Sequence, residues 1–397
     1  MDETSNAIVR FARADDFAGI YELVDKVLYH PSEMIMSRYR NYPGARPEDS
    51  IVVEADGKIV SHIRLYPCQL YYGDIIVKAV SIGDVCTAPA YRKRGYGGMC
   101  LNKSIEWMNA NDAVISLIYS GVLGFYKSAG WVDVAMKSID VPVDSIAELP
   151  EKQEGILVRR FERANDLEAI AKVYELYNRN RYLSAVRDEL WWRNSFHWIT
   201  GEDEEAFYVA EKSGQITAYS RMGENTVREI CYADFESAVA LWGGIVKWAK
   251  KWHLWGEAMP YKVISLRIPE DDELFEYLKQ YKNVKVQSGV CKLLIRYADV
   301  LQLIETLSPV LVKRVSGDFE FVFEINGQRF RLYKHMDDIK IEQTDARADI
   351  VVDWEEMSRR LAGSKKKEIA RGADEKVRIM ENLFPEFVQS VWPLNLA

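Results

Sequence analysis

The spacing of apolar residues predicts a series of strands and helices in the first 150 residues. Residues 51–87 form a predicted β-meander, with an Asp56-Gly57 turn where positive φ is needed. Apolar side chains at i, i+4 and i+7 from Leu101 predict an amphipathic helix. The apolar run at residues 113–119 predicts a buried strand, and residues 123–129 predict another short helix.

Part of this pattern occurs a second time. Residues 10–16 and 160–166 share a short strand that runs into a helix capped by Asp or Asn. Residues 52–60 and 208–216 then share a β-hairpin with an Asp-Gly or Ser-Gly turn. Two matches in the same order predict two similar units in tandem, with a boundary near residues 144–155.

A third region begins near Leu301. Residues 319–332 alternate apolar and polar positions around an Asn-Gly turn, which predicts a β-hairpin. Residues 348–353 predict one more strand, and residues 354–361 predict a helix after it. The three lysines at residues 365–367 are interpreted as a solvated loop or helix face.

Composition narrows the class of protein. The 397 residues are 48% hydrophobic and 28% charged, which excludes a disordered chain and suggests two or three domains. The formal charge of −8 argues against binding to nucleic acid or to an anionic membrane, and favours cationic or neutral partners. The N-terminus lacks a secretory signal, and the five scattered cysteines form no CxxC or Cys/His cluster. We therefore expect a cytoplasmic protein with free thiols and no metal.

The strongest candidate for chemistry is the segment at residues 85–99, where an apolar strand meets an amphipathic helix through a basic, glycine-rich turn. Glycines let the backbone approach a ligand closely, and the N–H groups that open a helix bind anions. Arg92, Lys93 and Arg94 add positive charge, so a diphosphate would dock there. The alternative is an ordinary tight turn with three solvated basic residues. P-loop and dinucleotide-binding motifs fit less well.

This segment resembles motif A of the GNAT N-acetyltransferases, Arg/Gln-x-x-Gly-x-Gly/Ala after a strand that ends near a proline. The matching residues are Arg92, Gly95 and Gly97, preceded by Pro89. The resemblance implies that backbone N–H groups hold the pyrophosphate of acetyl-CoA and that the strand end pairs with its pantetheine arm. The cofactor-binding residues that it implies are Val85, Cys86, Thr87, Arg92, Lys93, Arg94, Gly95, Tyr96, Gly97, Gly98, Gly121 and Val122.

A second GNAT motif lies at residues 124–131, which resemble the family's FYxxxGF helix and turn. The resemblance implies that the hydroxyl of Tyr126 lies near the thioester sulfur. When an amine attacks acetyl-CoA, the departing thiolate needs a proton, and a phenol with a pKa near 10 can donate one at pH 7. Tyr126 is therefore the predicted general acid.

The whole chain resembles the Eis (enhanced intracellular survival) acetyltransferases. That resemblance implies an α+β fold with tandem GNAT units, each a mixed central sheet flanked by helices, and a C-terminal domain similar to sterol carrier protein. The implied domains are residues 1–150 with the acetyl-CoA site, 151–298 as a degenerate unit, and 299–397. Relatives acetylate bulky polycations and assemble as hexamers. We therefore expect a homo-oligomer that acetylates a primary amine of an aminoglycoside-like compound, a polyamine or a lysine.

The group that accepts the proton from the amine has several candidates. In Eis relatives the C-terminal carboxylate serves as base, and the matching group is that of Ala397, although this chain ends differently from the usual acidic and aromatic pair. Asp84 and His62 are alternatives, and strand alternation could point Asp84 away from the site. No arrangement for a covalent intermediate is evident, so direct transfer in a ternary complex is expected.

A rival reading is a carrier protein without catalysis, in which the first domain senses acyl-CoA. The C-terminal domain would then hold an apolar ligand, in a cavity lined by Phe319, Phe321 and Phe323. Such a stripe is more often plain core. An acyl donor longer than acetyl-CoA is also compatible with the sequence.

Overall fold

The computed structural model describes residues 7–30, 32–146, 153–198, 207–251, 253–254, 257–258, 260–364 and 374–391. The first part of the chain contains β1 (Ile8–Phe11), α1 (Phe17–Leu28), α2 (Ser32–Asn41), β2 (Ser50–Ala55), β3 (Lys58–Tyr72), β4 (Ile75–Thr87), α3 (Tyr96–Ala110), β5 (Ile115–Tyr119), α4 (Leu123–Ser128) and β6 (Val132–Pro142).

The middle part contains β7 (Ile156–Arg160), α5 (Arg163–Asn178), β8 (Tyr182–Ala185), α6 (Glu189–Trp198), β9 (Tyr208–Lys212), β10 (Gln215–Gly223), β11 (Thr226–Tyr232), α7 (Phe235–Lys251), β12 (His253–Leu254), β13 (Glu257–Ala258), β14 (Val263–Leu266), α8 (Glu273–Leu278) and β15 (Lys285–Tyr297). The last part contains α9 (Val300–Leu311), β16 (Phe319–Ile325), β17 (Gln328–His335), β18 (Asp338–Gln343), β19 (Ile350–Val352), α10 (Trp354–Leu361) and α11 (Asp374–Leu383).

One 13-stranded sheet runs through the first two parts in the order β1-β2-β3-β4-β5-β15-β6-β14-β11-β10-β9-β7, and β8 pairs with β3. The two parts exchange strands within it. β15 lies between β5 and β6, with Leu294 opposite Ile118, whereas β6 pairs on its other edge with β14, where Val141 faces Ile264. The first two parts are therefore joined by main-chain hydrogen bonds and not only by side-chain packing.

Helices cover both faces of this sheet, which confirms the expected mixed α+β class with helix-flanked sheets. In α3, Leu101 and Met108 are fully buried and Ile105 packs partly against the same core, as the period of apolar residues predicts. This core also takes in Val80 and Ile82 of β4. The opposite face of the sheet packs against α1 and α2.

The two segments that align in sequence, residues 10–16 and 160–166, have similar ion pairs. Arg10 of β1 pairs with Asp16 at 2.6 Å and with Glu54 at 2.8 Å. In the second part Arg159, and not the sequence-aligned residue Arg160, pairs with Asp166 at 2.7 Å and also with a glutamate of the following hairpin. One arginine in each part thus ties the first strand to the helix after it.

The last part forms a separate four-stranded sheet in the order β18-β17-β16-β19. Phe319, Phe321 and Phe323 are buried in the same hydrophobic cluster as Leu303 and Leu307 of α9. The aromatic stripe therefore packs in the hydrophobic core of the last part. Residues 365–367, the predicted solvated lysines, lie outside the described residues.

Some general properties follow from the described residues. None of their helices combines the length and apolarity that a membrane crossing requires. They hold no grouping of three or more His, Cys, Asp or Glu side chains that could bind a metal ion. Cys86, Cys100 and Cys231 are buried free thiols, and Cys68 is a half-buried one.

Candidate active site

The site begins where β4 separates from β5. The two strands pair in parallel as far as Ile82 and Ile118. Just beyond, the register between β3 and β4 shifts, and Asp84 takes a positive φ of 48°. This β-bulge bends β4. Within the described part of the chain, the edge of residues 85–87 on the β5 side therefore has no strand partner.

The end of β4 is held firmly from its other side. The hydroxyls of Ser61 and Thr87 lie 2.8 Å apart, and the Ser61 hydroxyl donates to the carbonyl of Cys86 at 3.1 Å. The Cys86 side chain is buried, which raises the pKa of its thiol and leaves it protonated and inert. Val85 and Thr87 are half-buried and remain accessible.

The basic turn after β4 is ordered by short contacts of its own. Arg92 donates from Nε to the carbonyl of Thr87 at 3.2 Å. The Tyr91 hydroxyl donates to Asp56 at 2.9 Å, and the Arg94 guanidinium lies 5.2 Å from the Tyr91 ring. All three basic residues of the turn are exposed. The turn therefore presents positive charge to solvent on a fixed backbone.

The helix that follows opens without a side chain over its N-terminus. Gly95 is its N-cap residue, at a φ of 83°, and no side chain caps it. Lys93 also has positive φ, at 63°. At Gly97 a Cβ would lie 2.9 Å from Cζ of Phe125, whereas at Gly98 it would meet nothing within 4 Å. A bare helix N-terminus with adjacent cations is suited to bind a phosphate group.

Tyr126 lies on the short helix α4, beside this turn. Its side chain is 6% exposed. Burial raises the pKa of Tyr126 above 10.0, and a hydrogen bond with Ser120 opposes that rise. Ser120 also accepts a bond from the Val122 N–H at 3.1 Å, and Gly121 and Val122 are exposed at the start of α4. The phenol is consequently protonated at neutral pH and able to donate.

The carboxylate of Asp84 points to the face of the sheet that packs against α2. It accepts hydrogen bonds from Tyr66 at 2.7 Å and Tyr39 at 3.0 Å, and Arg38 lies 3.4 Å away. His62 contacts the Asp84 carbonyl through Nδ1 at 3.2 Å. Burial lowers the pKa of His62 to about 4, so its ring is neutral at pH 7. We therefore interpret His62 as a structural, uncharged residue beside Asp84.

The end of β4, the start of α3 and the helix α4 come together at Gly97, where a Cβ would lie 2.9 Å from the Phe125 ring and 3.7 Å from the Thr87 hydroxyl. Tyr96 is the buried member of the basic turn, packed in the core beneath it. Ala397 lies outside the described residues. Contact of these residues with acetyl-CoA stays a prediction. Sequence reasoning missed Ser120, Tyr39 and Tyr66, since no motif marks them and only the fold brings them to the site.

Comparison with known proteins agrees with this geometry. A family model described as an acetyltransferase (GNAT) domain matches residues 8–133. Among curated proteins, no sequence matches this chain.

Several solved structures share the fold of nearly the whole chain. A probable N-acyltransferase from Enterococcus faecalis V583 has a TM-score of 0.80 at 13% identity, covering 98% of this chain and 99% of its own. A GCN5-related N-acetyltransferase from Kribbella flavida gives 0.74 at 15% identity, with 99% of both chains covered. Eis1 from Mycobacterium abscessus gives 0.66 at 16% identity, covering 97% of this chain and 98% of its own.

These comparisons identify residues 8–133 as a GNAT acetyltransferase domain, and the chain is accordingly an enzyme. GNAT domains use acetyl-CoA as co-substrate. At identities of 13–16% the solved structures establish the shared fold alone.

Proposed function

We propose that this chain, built on a GNAT acetyltransferase domain, moves the acetyl group of acetyl-CoA directly to a primary amine of a cationic substrate. The observation that carries the proposal is an uncapped helix N-terminus close to α4, the helix of the buried, protonated Tyr126, since a Cβ at Gly97 would lie 2.9 Å from the Phe125 ring and 3.7 Å from the Thr87 hydroxyl. Aminoglycoside-like compounds, polyamines and lysine side chains are the proposed acceptors. The net charge of −8 supports them, because a negative protein concentrates cations near its surface.

The residues present fit acetyl-CoA. The first N–H groups of α3, with Arg92, Lys93 and Arg94 next to them, would hold the pyrophosphate. The free edge at residues 85–87 would accept hydrogen bonds from, and donate them to, the amides of the pantetheine arm. The bound co-substrate supplies the activated acetyl group; the protein supplies orientation and proton transfer.

Tyr126 is the proposed proton donor to the departing thiolate. Its raised pKa keeps the hydroxyl protonated across the physiological range. A positioned general acid contributes about 10²- to 10⁴-fold in rate.

Two carboxylates are available to receive the proton from the amine. The carboxylate of Asp84 is already engaged, since two tyrosine hydroxyls donate to it and Arg38 stands close by. We therefore assign Asp84 to ordering the amine site, and the carboxylate of Ala397 to accepting the proton, as the Eis resemblance implies.

The middle part of the chain is proposed to be a second GNAT unit without a cofactor site. In the middle part, α7 follows the hairpin strands as α3 does in the first part. The N-terminus of α7 is capped by Asp234, which accepts from the Ser237 N–H at 3.0 Å. A capping carboxylate occupies the position where a phosphate would bind and repels it. One acetyl-CoA per chain is expected. The last part is proposed to be the sterol-carrier-like domain.

The test is release of free thiol from acetyl-CoA with a panel of amines. Wild-type protein is expected to turn over at least one polycationic amine. Tyr126→Phe is expected to lower kcat by about 10²-fold or more with acetyl-CoA affinity unchanged. Tyr297→Phe is the matched control, because Tyr297 is fully buried in β15 with an unpaired hydroxyl outside this site. Binding of acetyl-CoA without turnover of any amine would contradict catalysis and favour a carrier.

The two carboxylates are separated by two further variants. Asp84→Asn is expected to raise the KM for the amine more than it lowers kcat. Extension of the chain by one glycine after Ala397 is expected to lower kcat. A large fall in kcat in Asp84→Asn, with the extended chain fully active, would reverse the assignment.

A further inference from the structure

The helix that carries Tyr126 ends in a turn built on the carbonyl of that same residue. The N–H groups of Ala129 and Trp131 both donate to the Tyr126 carbonyl, at 3.0 and 3.1 Å. The Trp131 indole then donates to the Ser116 hydroxyl of β5 at 3.2 Å. Because α4 has only six residues, it is too short to hold its position by itself. The turn at residues 129–131 therefore decides where the Tyr126 backbone lies.

Three side chains from much later in the chain hold this turn and the first residues of β6 after it. Arg296 of β15 donates to the carbonyl of Ala129 at 3.0 Å. Trp354, the first residue of α10, donates from its indole to the carbonyl of Gly130 at 3.2 Å. Arg359, also on α10, donates to the Asp133 carbonyl at 3.1 Å. We call Arg296, Trp354 and Arg359 the turn clamp.

The clamp residues also pack closely against the turn. The Arg296 guanidinium lies 5.3 Å from the Trp131 ring and 5.6 Å from the Trp354 ring, between the two indoles. Gly130 has a φ of 89°, and a Cβ there would overlap Nη1 of Arg296. The turn can take this position because residue 130 has no side chain.

A second set of charges fixes the strand directly after the turn. The Asp133 carboxylate accepts from Arg359 at 3.0 Å and from Lys127 of α4 at 2.8 Å. Arg359 is in turn held by Glu355 at 2.9 Å. Asp133 therefore connects α10 to α4 through one carboxylate.

We propose that the turn clamp consists of positioning residues that set Tyr126 for proton donation, so that α10, in the last part of the chain, takes part in acetyl transfer without touching the reacting atoms. The proposal rests on the role given above to Tyr126. The proposal also gives the last part of the chain a role in the reaction for which that part does not need to bind a ligand.

The first arm of the test is kinetic. Trp354→Phe keeps an aromatic ring but removes the indole N–H together with the fused five-membered ring, and should lower kcat about 3- to 10-fold, the loss expected from one hydrogen bond. The affinity for acetyl-CoA should change less than about two-fold, because within the described residues the hydrogen bonds and ring contacts of the clamp lead to the turn after α4, to β6 and to α10 itself, and not to the basic turn or α3. Placed in Tyr126→Phe, the same change should have almost no further effect, since two residues that act on one step are not additive.

The control is a matched arginine. Arg359→Met removes a clamp residue, whereas Arg331→Met removes an arginine of the last part that pairs with Glu342 at 3.0 Å on β18, away from the turn. Arg359→Met is expected to behave like Trp354→Phe, and Arg331→Met like wild type. If Trp354→Phe lowers kcat by the same factor in the wild-type and the Tyr126→Phe backgrounds, its effect is a general structural one, and that result would overturn the proposal.

The second arm does not depend on activity. Amide hydrogen exchange in the peptide covering residues 124–133 should become about ten-fold faster or more in Trp354→Phe, with exchange in residues 96–110 unchanged. Unchanged exchange at residues 124–133 would overturn the clamp whatever the kinetics. Faster exchange there, in a protein that acetylates no amine, would uphold the clamp as the device that fixes the turn and would reject the proposed function instead.

Discussion

Two neighbouring glycines of the basic turn offer a way to separate folding from binding. Gly97 and Gly98 both lie in the first turn of α3, yet only one of them faces another side chain. A Cβ at position 97 would lie 2.9 Å from the Phe125 ring, whereas one at position 98 would meet nothing within 4 Å. Gly97→Ala therefore forces Phe125, the neighbour of Tyr126, to move, and Gly98→Ala does not.

The expected magnitudes follow from this geometry. Alanine stabilises a helix by about 0.5–1 kcal/mol relative to glycine, which applies to both variants. Overpacking costs about 1–3 kcal/mol and applies only to Gly97→Ala. The two variants should therefore differ by about 1–3 kcal/mol, or about 2–12 °C in melting temperature, since each kcal/mol moves Tm by about 2–4 °C in domains of this size.

Thermal unfolding followed by circular dichroism measures that difference. Gly97→Ala should melt below Gly98→Ala, and Phe125→Leu should recover most of the loss when combined with Gly97→Ala. Gly98→Ala should fold at least as well as wild type but bind acetyl-CoA about ten-fold more weakly, because its methyl group enters the space of the proposed pyrophosphate. Equal melting temperatures for the two alanine variants would refute the close approach of α3 and α4.

Three further predictions concern charge and pH. Lys93→Gln and Arg94→Gln should each weaken acetyl-CoA binding about 2- to 5-fold at low salt and less at 0.5 M salt, because exposed charges are screened. Calorimetry at the two salt concentrations measures this difference. An effect of the same size at both concentrations would contradict the electrostatic role. The pKa of His62 is about 4 and that of Tyr126 is raised, so neither group should titrate between pH 5.5 and 9. The pH profile of kcat in His62→Gln should therefore keep the midpoints of wild type. A shifted midpoint would make His62 the base. The hydrogen bond from Arg10 lowers the pKa of Asp16 below 3.8, so the stabilisation that this ion pair gives is complete above about pH 4 and is lost as pH falls through the lowered pKa. Asp16→Asn should therefore cost about 1–3 kcal/mol in urea unfolding at pH 7 and progressively less in acid. A cost that does not vary with pH would refute the ion pair.

Most single elements could be predicted from local sequence. The turn at Asp56-Gly57 has positive φ at both residues, and the apolar period from Leu101 gives the buried side of α3. The glycines and basic residues of the turn could be identified because a phosphate site needs them close together in sequence. Local rules of this kind depend on a few neighbouring residues.

The strand exchange could not be predicted in the same way. The partner of β15 is set by which sheet edges are free once both parts have folded, and Leu294 reaches Ile118 across 176 positions of chain (294 − 118 = 176). Arg296, Trp354 and Arg359 were missed for the same reason. Each meets the turn after α4 only through tertiary packing, and none stands in a motif.

Asp84 shows the limit of strand alternation as a guide. A regular strand would have fixed the direction of its side chain, but the bulge shifts the register between His62 and Arg64 and gives Asp84 a φ of 48°. Its carboxylate consequently meets Tyr39 and Tyr66. A bulge of this kind has no marker in a single sequence.

The most direct test of the account is calorimetric titration of acetyl-CoA into the protein and into two glycine variants. Gly95 and Gly317 have φ values of 83° and 78°, and a Cβ at either would meet nothing within 4 Å. Gly95→Val and Gly317→Val thus carry similar backbone strain, but only the first lies in the basic turn. Wild type and Gly317→Val should bind one acetyl-CoA per chain, and Gly95→Val should bind at least about ten-fold more weakly. No binding by wild type, or equal binding by both variants, would contradict the phosphate site on which the proposed function depends.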